Sequence, residues 1–226
     1  MSFFEQKARD VSRPALDTVG QVLARWNVSP NAVTYLGLLL TMGVAAIAAL
    51  GEIRWAGVAY IFAAVCDALD GTLARISGKG SRFGAFLDST IDRFEESIVL
   101  LGLIIYYAQV GGLWEIPLIL AVTVGSLMVS YTRARAEGVG VVCKEGLMTR
   151  PVRVVIMIAG MILNQVLIVL IILAAATLFT TFQRMFHVWR MTGGEKGGWG
   201  PVKEPFTLPV PAAPEVEGDS APGDTL

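Results

Sequence analysis

Histidine occurs once and cysteine only twice in these 226 residues. A lone His187 cannot assemble an imidazole-based metal centre, and beside Phe186 and Trp189 it reads as part of an interfacial aromatic belt. Cys66 and Cys143 are too few for a disulfide framework and read as packing thiols. Charge is also scarce: Asp, Glu, Lys and Arg make up 16% of the chain against 54% hydrophobic residues, and the mean hydropathy is +0.61. Soluble domains carry about a quarter charged residues, so bulk water is not the expected medium. The formal net charge of -1 hides an uneven distribution, but no nucleic-acid surface and no nucleic-acid partner follow from it. Residues 1–28 have neither the uninterrupted apolar centre nor the cleavage site of a signal peptide.

What the chain does have is apolar runs, at Val33–Leu50, Trp55–Cys66, Ile98–Val110, Leu113–Tyr131, Val154–Leu163 and Val166–Phe182. Several fall short of the roughly 20 residues a span needs. The second and third can extend through the aspartate-bearing turns, and the fifth can begin near Pro151. The expectation is an all-α membrane protein with six transmembrane helices over residues 29–190. Residues 1–28 should precede them as an interfacial amphipathic helix, because Leu16, Val19, Val22, Leu23 and Trp26 recur at helical spacing beside basic residues. Residues 191–226, rich in Gly, then Pro, Glu and Asp, read as a disordered tail. With a cytoplasmic N-terminus only Arg54 among the Lys and Arg falls in an outer loop, which satisfies the positive-inside rule. The protein is thus expected in the cell membrane as a multi-pass chain, with its functional face toward the cytoplasm.

That face carries the chemistry. Asp67 and Asp70 lie near the end of the second helix, Asp88 and Asp92 near the start of the third. At 100° per residue Asp67, Asp70 and Ala74 share an arc of about 60°, and Gly84, Asp88 and Asp92 one of about 80°. A short basic turn makes the two helices antiparallel neighbours, so four carboxylates can face one cleft. Carboxylates in apolar surroundings are expensive, and four together call for cations. Oxygen ligands suit Mg²⁺ or Mn²⁺, with positions left for substrate phosphate. Gly71 and Gly84 offer bare backbone, Ala74 keeps the wall low, and Arg75 and Ser81 can meet phosphate or ribose oxygens. At Ser29-Pro30-Asn31-Ala32-Val33-Thr34 a capped helix start opens, either an ordinary cap or a cradle for polar ligand atoms.

The array Asp67-x2-Asp70-Gly71-x2-Ala74-Arg75-x8-Gly84-x3-Asp88-x3-Asp92 resembles the full signature of the CDP-alcohol phosphotransferases, without departure at any fixed position. The resemblance spans roughly residues 10 to 190. It implies dimers of six-helix subunits, divalent metal held by Asp67, Asp70, Asp88 and Asp92, and displacement of CMP from a CDP-linked lipid. It also implies that Asn31, Ala32, Val33, Thr34, Asp67, Asp70, Gly71, Ala74, Arg75, Ser81 and Gly84 line the nucleotide site, and that Asp92 is the general base.

The acceptor should be set by a second basic group: Arg133 and Arg135 after Ser130-Tyr131-Thr132, Arg150 and Arg153 in Arg150-Pro151-Val152-Arg153, and Arg184 after Gln183. Converging guanidinium forks favour a phosphate-bearing alcohol. These blocks resemble the inositol-phosphate branch of the family, which implies CDP-diacylglycerol and an inositol phosphate as substrates and phosphatidylinositol phosphate and CMP as products. Archaetidylinositol phosphate synthases share the pattern. A phosphatidylglycerophosphate synthase using glycerol 3-phosphate is the competing enzyme reading. In a different class stands a carboxylate-based ion or proton transporter, which would need ionisable groups on a path to both sides. A catalytically dead scaffold would have lost a metal position, and none is missing. Glu95 and Glu96, one turn past Asp92, read as partners for Arg93 or for another subunit.

Overall fold

In the computed structural model, residues 3–143 and 146–193 are described, with side chains from Arg13 onward. The expected tail falls almost wholly outside this range, as do Lys144 and the side chains of Lys7 and Arg9. Among the described residues there are seven helices and no strand: α1 (Phe3–Arg25), α2 (Pro30–Ala49), α3 (Ile53–Ser77), α4 (Arg82–Val110), α5 (Glu115–Gly138), α6 (Arg150–Ile162) and α7 (Val166–Met191). Local chemistry places their ends. Ser29 is the extended N-cap of α2 with Pro30 in its first turn, though the Ser29 side chain makes no capping bond. Ser81 caps α4 by accepting from the Gly84 amide at 2.9 Å. α3 does run through its aspartates to Ser77, ended by Gly78 at φ 66°, and α6 begins at Arg150 with Pro151 behind it.

Helices α2, α3, α5 and α7 are long and apolar enough to cross a membrane. Their outward residues fit that reading: Leu39, Phe62, Leu120, Ile168 and Phe182 are all more than half exposed, an apolar surface far beyond what a water-soluble monomer tolerates. α4 is longer than any of these but carries Asp88, Asp92, Arg93, Glu95 and Glu96 in its first half. α6 has only 13 residues.

The interior is built from Leu100 and Leu103 of α4, Ile119 and Val122 of α5, Met161 of α6 and Leu170 and Leu173 of α7, each essentially inaccessible. Small residues set the helix spacing. A Cβ on Gly102 would strike the Ala45 backbone, its Cα at 2.7 Å; one on Gly57 would meet Met161 Cβ at 2.9 Å; one on Gly125 would overlap the Thr177 side chain. The Gly102 contact is with main chain, which cannot rotate away. Gly102→Ala should therefore cost about 1–3 kcal/mol. Gly43→Ala, which meets nothing within 4 Å in the middle of α2, should be neutral or stabilising by up to about 1 kcal/mol. Thermal unfolding in detergent measures both, and equal melting temperatures for the two variants would refute the close α2–α4 crossing.

The pairing of elements differs in one respect from the expected hairpin. α2 packs on both α3 and α4, whereas α3 and α4 are not among the closely packed pairs. α2 packs along both aspartate helices, while their carboxylates approach one another directly. α1 lies on α3 through Gly20, whose Cβ position is 3.0 Å from Ile76 Cδ1. Leu16, Leu23 and Ala24 join Val33, Leu69 and Leu73 in a small second core. The apolar stripe of α1 is therefore divided: Leu16 and Leu23 face protein, while Val19, Val22 and Trp26 point outward, Trp26 at 75% exposure.

Candidate active site

The four aspartates do meet. Oxygens of Asp67, Asp70 and Asp88 lie within 4.8 Å of one another, and so do those of Asp67, Asp92 and Glu95. Two triads thus share Asp67 at the centre. Asp70 is buried and its Oδ2 accepts from the Thr34 hydroxyl at 2.6 Å, which fixes its rotamer. An all-oxygen set of this density suits a hard divalent cation and excludes sites designed for soft ligands. Glu95 is the member that motif spacing did not assign. It is the continuation of the stripe Gly84, Asp88, Asp92 along α4, and it is buried against α2, where a Cβ on Gly37 would come within 3.1 Å of its Oε1. Nothing in the sequence around Gly37 announced that contact.

Around the triads the expected nucleotide-side residues gather at the mouths of α2 and α4. A Cβ on Gly84 would stand 3.3 Å from Asn31 Oδ1 and 3.1 Å from Ser81 Oγ, so these three residues form one rim. Thr34 touches the triad directly through Asp70. Val33 is buried in the small core and Ala32 is exposed; the amides of both donate to the Ser29 carbonyl, at 3.4 and 3.0 Å. Gly71 faces open space, and Ala74 is half-buried one turn further along α3. Arg75 is exposed, its Nη2 donating to Thr72 Oγ1 at 3.0 Å.

The arginines divide into two groups. Arg150 leans into the carboxylates: its Nη1 pairs with Asp67 and with Asp92 Oδ1 at 2.9 Å, and its Nη2 with Glu95 Oε2 at 2.6 Å. Arg153, one turn on and 2% exposed, grips Glu96 bidentately at 2.7 Å and donates to the Met148 carbonyl at 2.9 Å. Glu95 and Glu96 therefore serve α6, not Arg93, which instead lies 3.8 Å from Asp92 and donates to the Ser89 carbonyl. Arg184 is buried, donates to the Val129 carbonyl, and lies under Gly146, whose Cβ position is 2.9 Å from its guanidinium. Since Gly146 has φ 134°, both its conformation and its closeness to Arg184 require glycine. Arg133 pairs with Glu137 at 2.9 Å on the exposed end of α5, and Arg135 is exposed beside it.

Comparison with known proteins gives the family. The chain is 36% identical over 185 residues to an archaetidylinositol phosphate synthase of Pyrococcus horikoshii, covering 80% of this chain and 94% of that one. It is 34% identical over 200 residues to a phosphatidylinositol phosphate synthase of Mycobacteroides abscessus, covering 83% and 89%. The phosphatidylinositol phosphate synthase of Mycobacterium tuberculosis, solved with CDP-DAG bound, superposes with a TM-score of 0.71 at 30% identity over 77% of this chain and 93% of that one. The same enzyme in complex with manganese and citrate gives a TM-score of 0.69 at 30% identity, over 77% and 88%. Residues 27–189, the stretch that holds both carboxylate triads and the arginines above them, match the CDP-alcohol phosphatidyltransferase family model, and the chain belongs to that family.

Proposed function

We propose that this protein transfers a phosphatidyl group from CDP-diacylglycerol to an inositol phosphate, giving phosphatidylinositol phosphate and CMP. The observation that carries the proposal is the sharing of Asp67 between two oxygen triads, with Arg150 against them. Asp67, Asp70, Asp88 and Asp92 would hold Mg²⁺ or Mn²⁺, which when bound offsets the charge of the diphosphate. Asn31, Ser81 and Gly84 on the rim, the first turn of α2 from Ala32 to Thr34, and Gly71, Ala74 and Arg75 on α3 receive the cytidine nucleotide. Asp92 takes the proton of the acceptor hydroxyl. The acceptor oxygen then forms a bond to the β-phosphorus as the bond from that phosphorus to the bridging oxygen breaks, and CMP departs with the bridging oxygen. Arg133, Arg153 and Arg184 bind the acceptor phosphate, with Arg135 at the edge; Arg150 stands between that pocket and the carboxylates.

The membrane placement follows from the same polarity. α2–α7 supply six spans over residues 29–190, with α4 and α6 crossing despite their charge and shortness because their polar ends sit at the headgroups. Val19, Val22 and Trp26 settle α1 at the interface. Arg75, Lys79, Arg82, Arg133, Arg135, Arg150 and Arg153 occupy one end, while the opposite turns hold only Arg54 among the cations, so the active site faces the cytoplasm. The functional unit is a homodimer. A transporter finds no support: Glu52, Arg54 and Glu115 are isolated from the triads by the apolar core.

The acceptor distinguishes this reading from its competitor. Purified protein given CDP-diacylglycerol and Mg²⁺ should release CMP at least about tenfold faster with myo-inositol phosphate than with glycerol 3-phosphate, since a site that hydrogen-bonds a substrate hydroxyl discriminates against an alcohol lacking it. The opposite ranking assigns the chain to glycerophosphate, and no release with either acceptor refutes the transferase reading.

A further inference from the structure

Arg150 has three carboxylate partners, and two of them are residues assigned to the cation. Its Nη1 takes Asp67, the residue common to both triads, together with Asp92, while Nη2 takes Glu95 of the second triad. Its Nε is buried without a hydrogen-bond partner; the fork has been turned to meet acidic oxygens at the expense of its third edge. An arginine aimed at an acceptor phosphate would direct that fork away from the metal ligands. Charge bookkeeping agrees: Asp67, Asp70, Asp88, Asp92 and Glu95 carry five negative charges, two divalent ions supply four positive ones, and one fixed cation completes the balance.

The position of Arg150 in the chain gives this pairing a consequence. It is the first residue of α6, immediately after the segment in which Gly146 covers Arg184 and the Met148 amide donates to Thr180 Oγ1 at 3.3 Å. One turn later Arg153 is clamped by Glu96. The doublet Glu95–Glu96 on α4 therefore holds the arginine pair of α6, and Arg150 alone reaches past it into the triads.

We propose that Arg150 is a resident counter-cation of the carboxylate centre that competes with divalent metal for Asp67 and Asp92, and thereby links metal binding to the start of α6, instead of serving as a ligand of the acceptor phosphate. The inference rests on the metal-centre reading given above. Because Arg150 and a divalent ion repel one another at contact distance in a partly dry site, removing its charge strengthens cation binding while weakening the protein without added cation. Bound metal draws Asp67 and Asp92 from the guanidinium, which leaves Glu95 as the anchor and loosens the turn before α6.

The test uses the full chain in detergent, with Mn²⁺ titrated against thermal unfolding and against its own paramagnetic resonance signal. Arg150→Gln should unfold at a lower temperature than the unaltered protein without Mn²⁺, yet gain more on saturation and show a midpoint lower by about tenfold. A midpoint within twofold of the unaltered protein, with or without a raised KM for inositol phosphate, overturns the proposal. Where that variant does not fold, hydrogen exchange on the unaltered protein decides. Mn²⁺ should speed exchange at residues 146–153 while slowing it around Asp67 to Asp92, and uniform slowing overturns the proposal. If the unaltered protein shows no response to Mn²⁺ or Mg²⁺ by either readout, the metal-centre reading itself fails and the inference falls with it.

Discussion

Asp67→Asn is expected to lower CMP release by at least about a thousandfold. The reason is topological. Asp70 and Asp88 contribute to one oxygen triad and Asp92 and Glu95 to the other, but Asp67 belongs to both, so its loss reduces both at once. The asparagine retains the size of the side chain and one oxygen, and Arg150 keeps Asp92 and Glu95 as partners, so the fold should persist. Thermal unfolding without added metal should change by only a few degrees, whereas the stabilisation by Mn²⁺ should nearly vanish. The measurement is CMP release from CDP-diacylglycerol at saturating acceptor, alongside the Mn²⁺-induced shift. Activity within tenfold of the unaltered protein would remove Asp67 from the centre.

Asp92→Asn should lower kcat by about 10²–10⁴-fold, the range carried by a positioned general base. The substitution removes the base and one oxygen of the second triad, and it leaves the first triad and the nucleotide side in place. The triad of Asp67, Asp70 and Asp88 is untouched, and so are the rim of Asn31, Ser81 and Gly84 and the open face at Gly71. Affinity for CDP-diacylglycerol, measured by titration in the presence of Ca²⁺ or Mg²⁺, should therefore stay within about tenfold of the unaltered value. A kcat close to normal would transfer the base function elsewhere, with Glu95 the nearest carboxylate outside the four-aspartate set. A lost affinity with unchanged kcat would make Asp92 a ligand alone. The two aspartate substitutions together distinguish holding the cation from taking the proton.

Much of this was legible in the linear chain, for reasons that can be named. Helical periodicity is local, and 100° per residue is enough to put Asp67 and Asp70 on one face and Gly84, Asp88 and Asp92 on another. Capping is local too: Ser29 and Pro151 mark helix starts that the structure has at Pro30 and Arg150. Arg150 and Arg153 stood out in the sequence as part of a basic group whose Arg150-Pro151-Val152-Arg153 block resembles one branch of the family. Their partners were not visible. That Glu95 and Glu96 would meet Arg150 and Arg153, more than fifty positions away in sequence, depends on how α4 and α6 pack, and no local rule ranks that choice above the neighbouring Arg93.

The same boundary explains the remaining differences. The sequence alone determined that the chain is helical, apolar and armed with four aspartates at fixed angular positions, because backbone hydrogen bonding and side-chain periodicity are decided within a few residues. Only the tertiary structure decided that α2 would pack on both α3 and α4, that Gly37 would admit Glu95 beside Asp67, and that Arg150 would turn toward the carboxylates. Those outcomes depend on backbone approach at Gly57, Gly102 and Gly125, distances of a few ångströms set by all the helices together. Charge then follows geometry: a guanidinium within reach of three carboxylates pairs with them, whatever role its motif suggests.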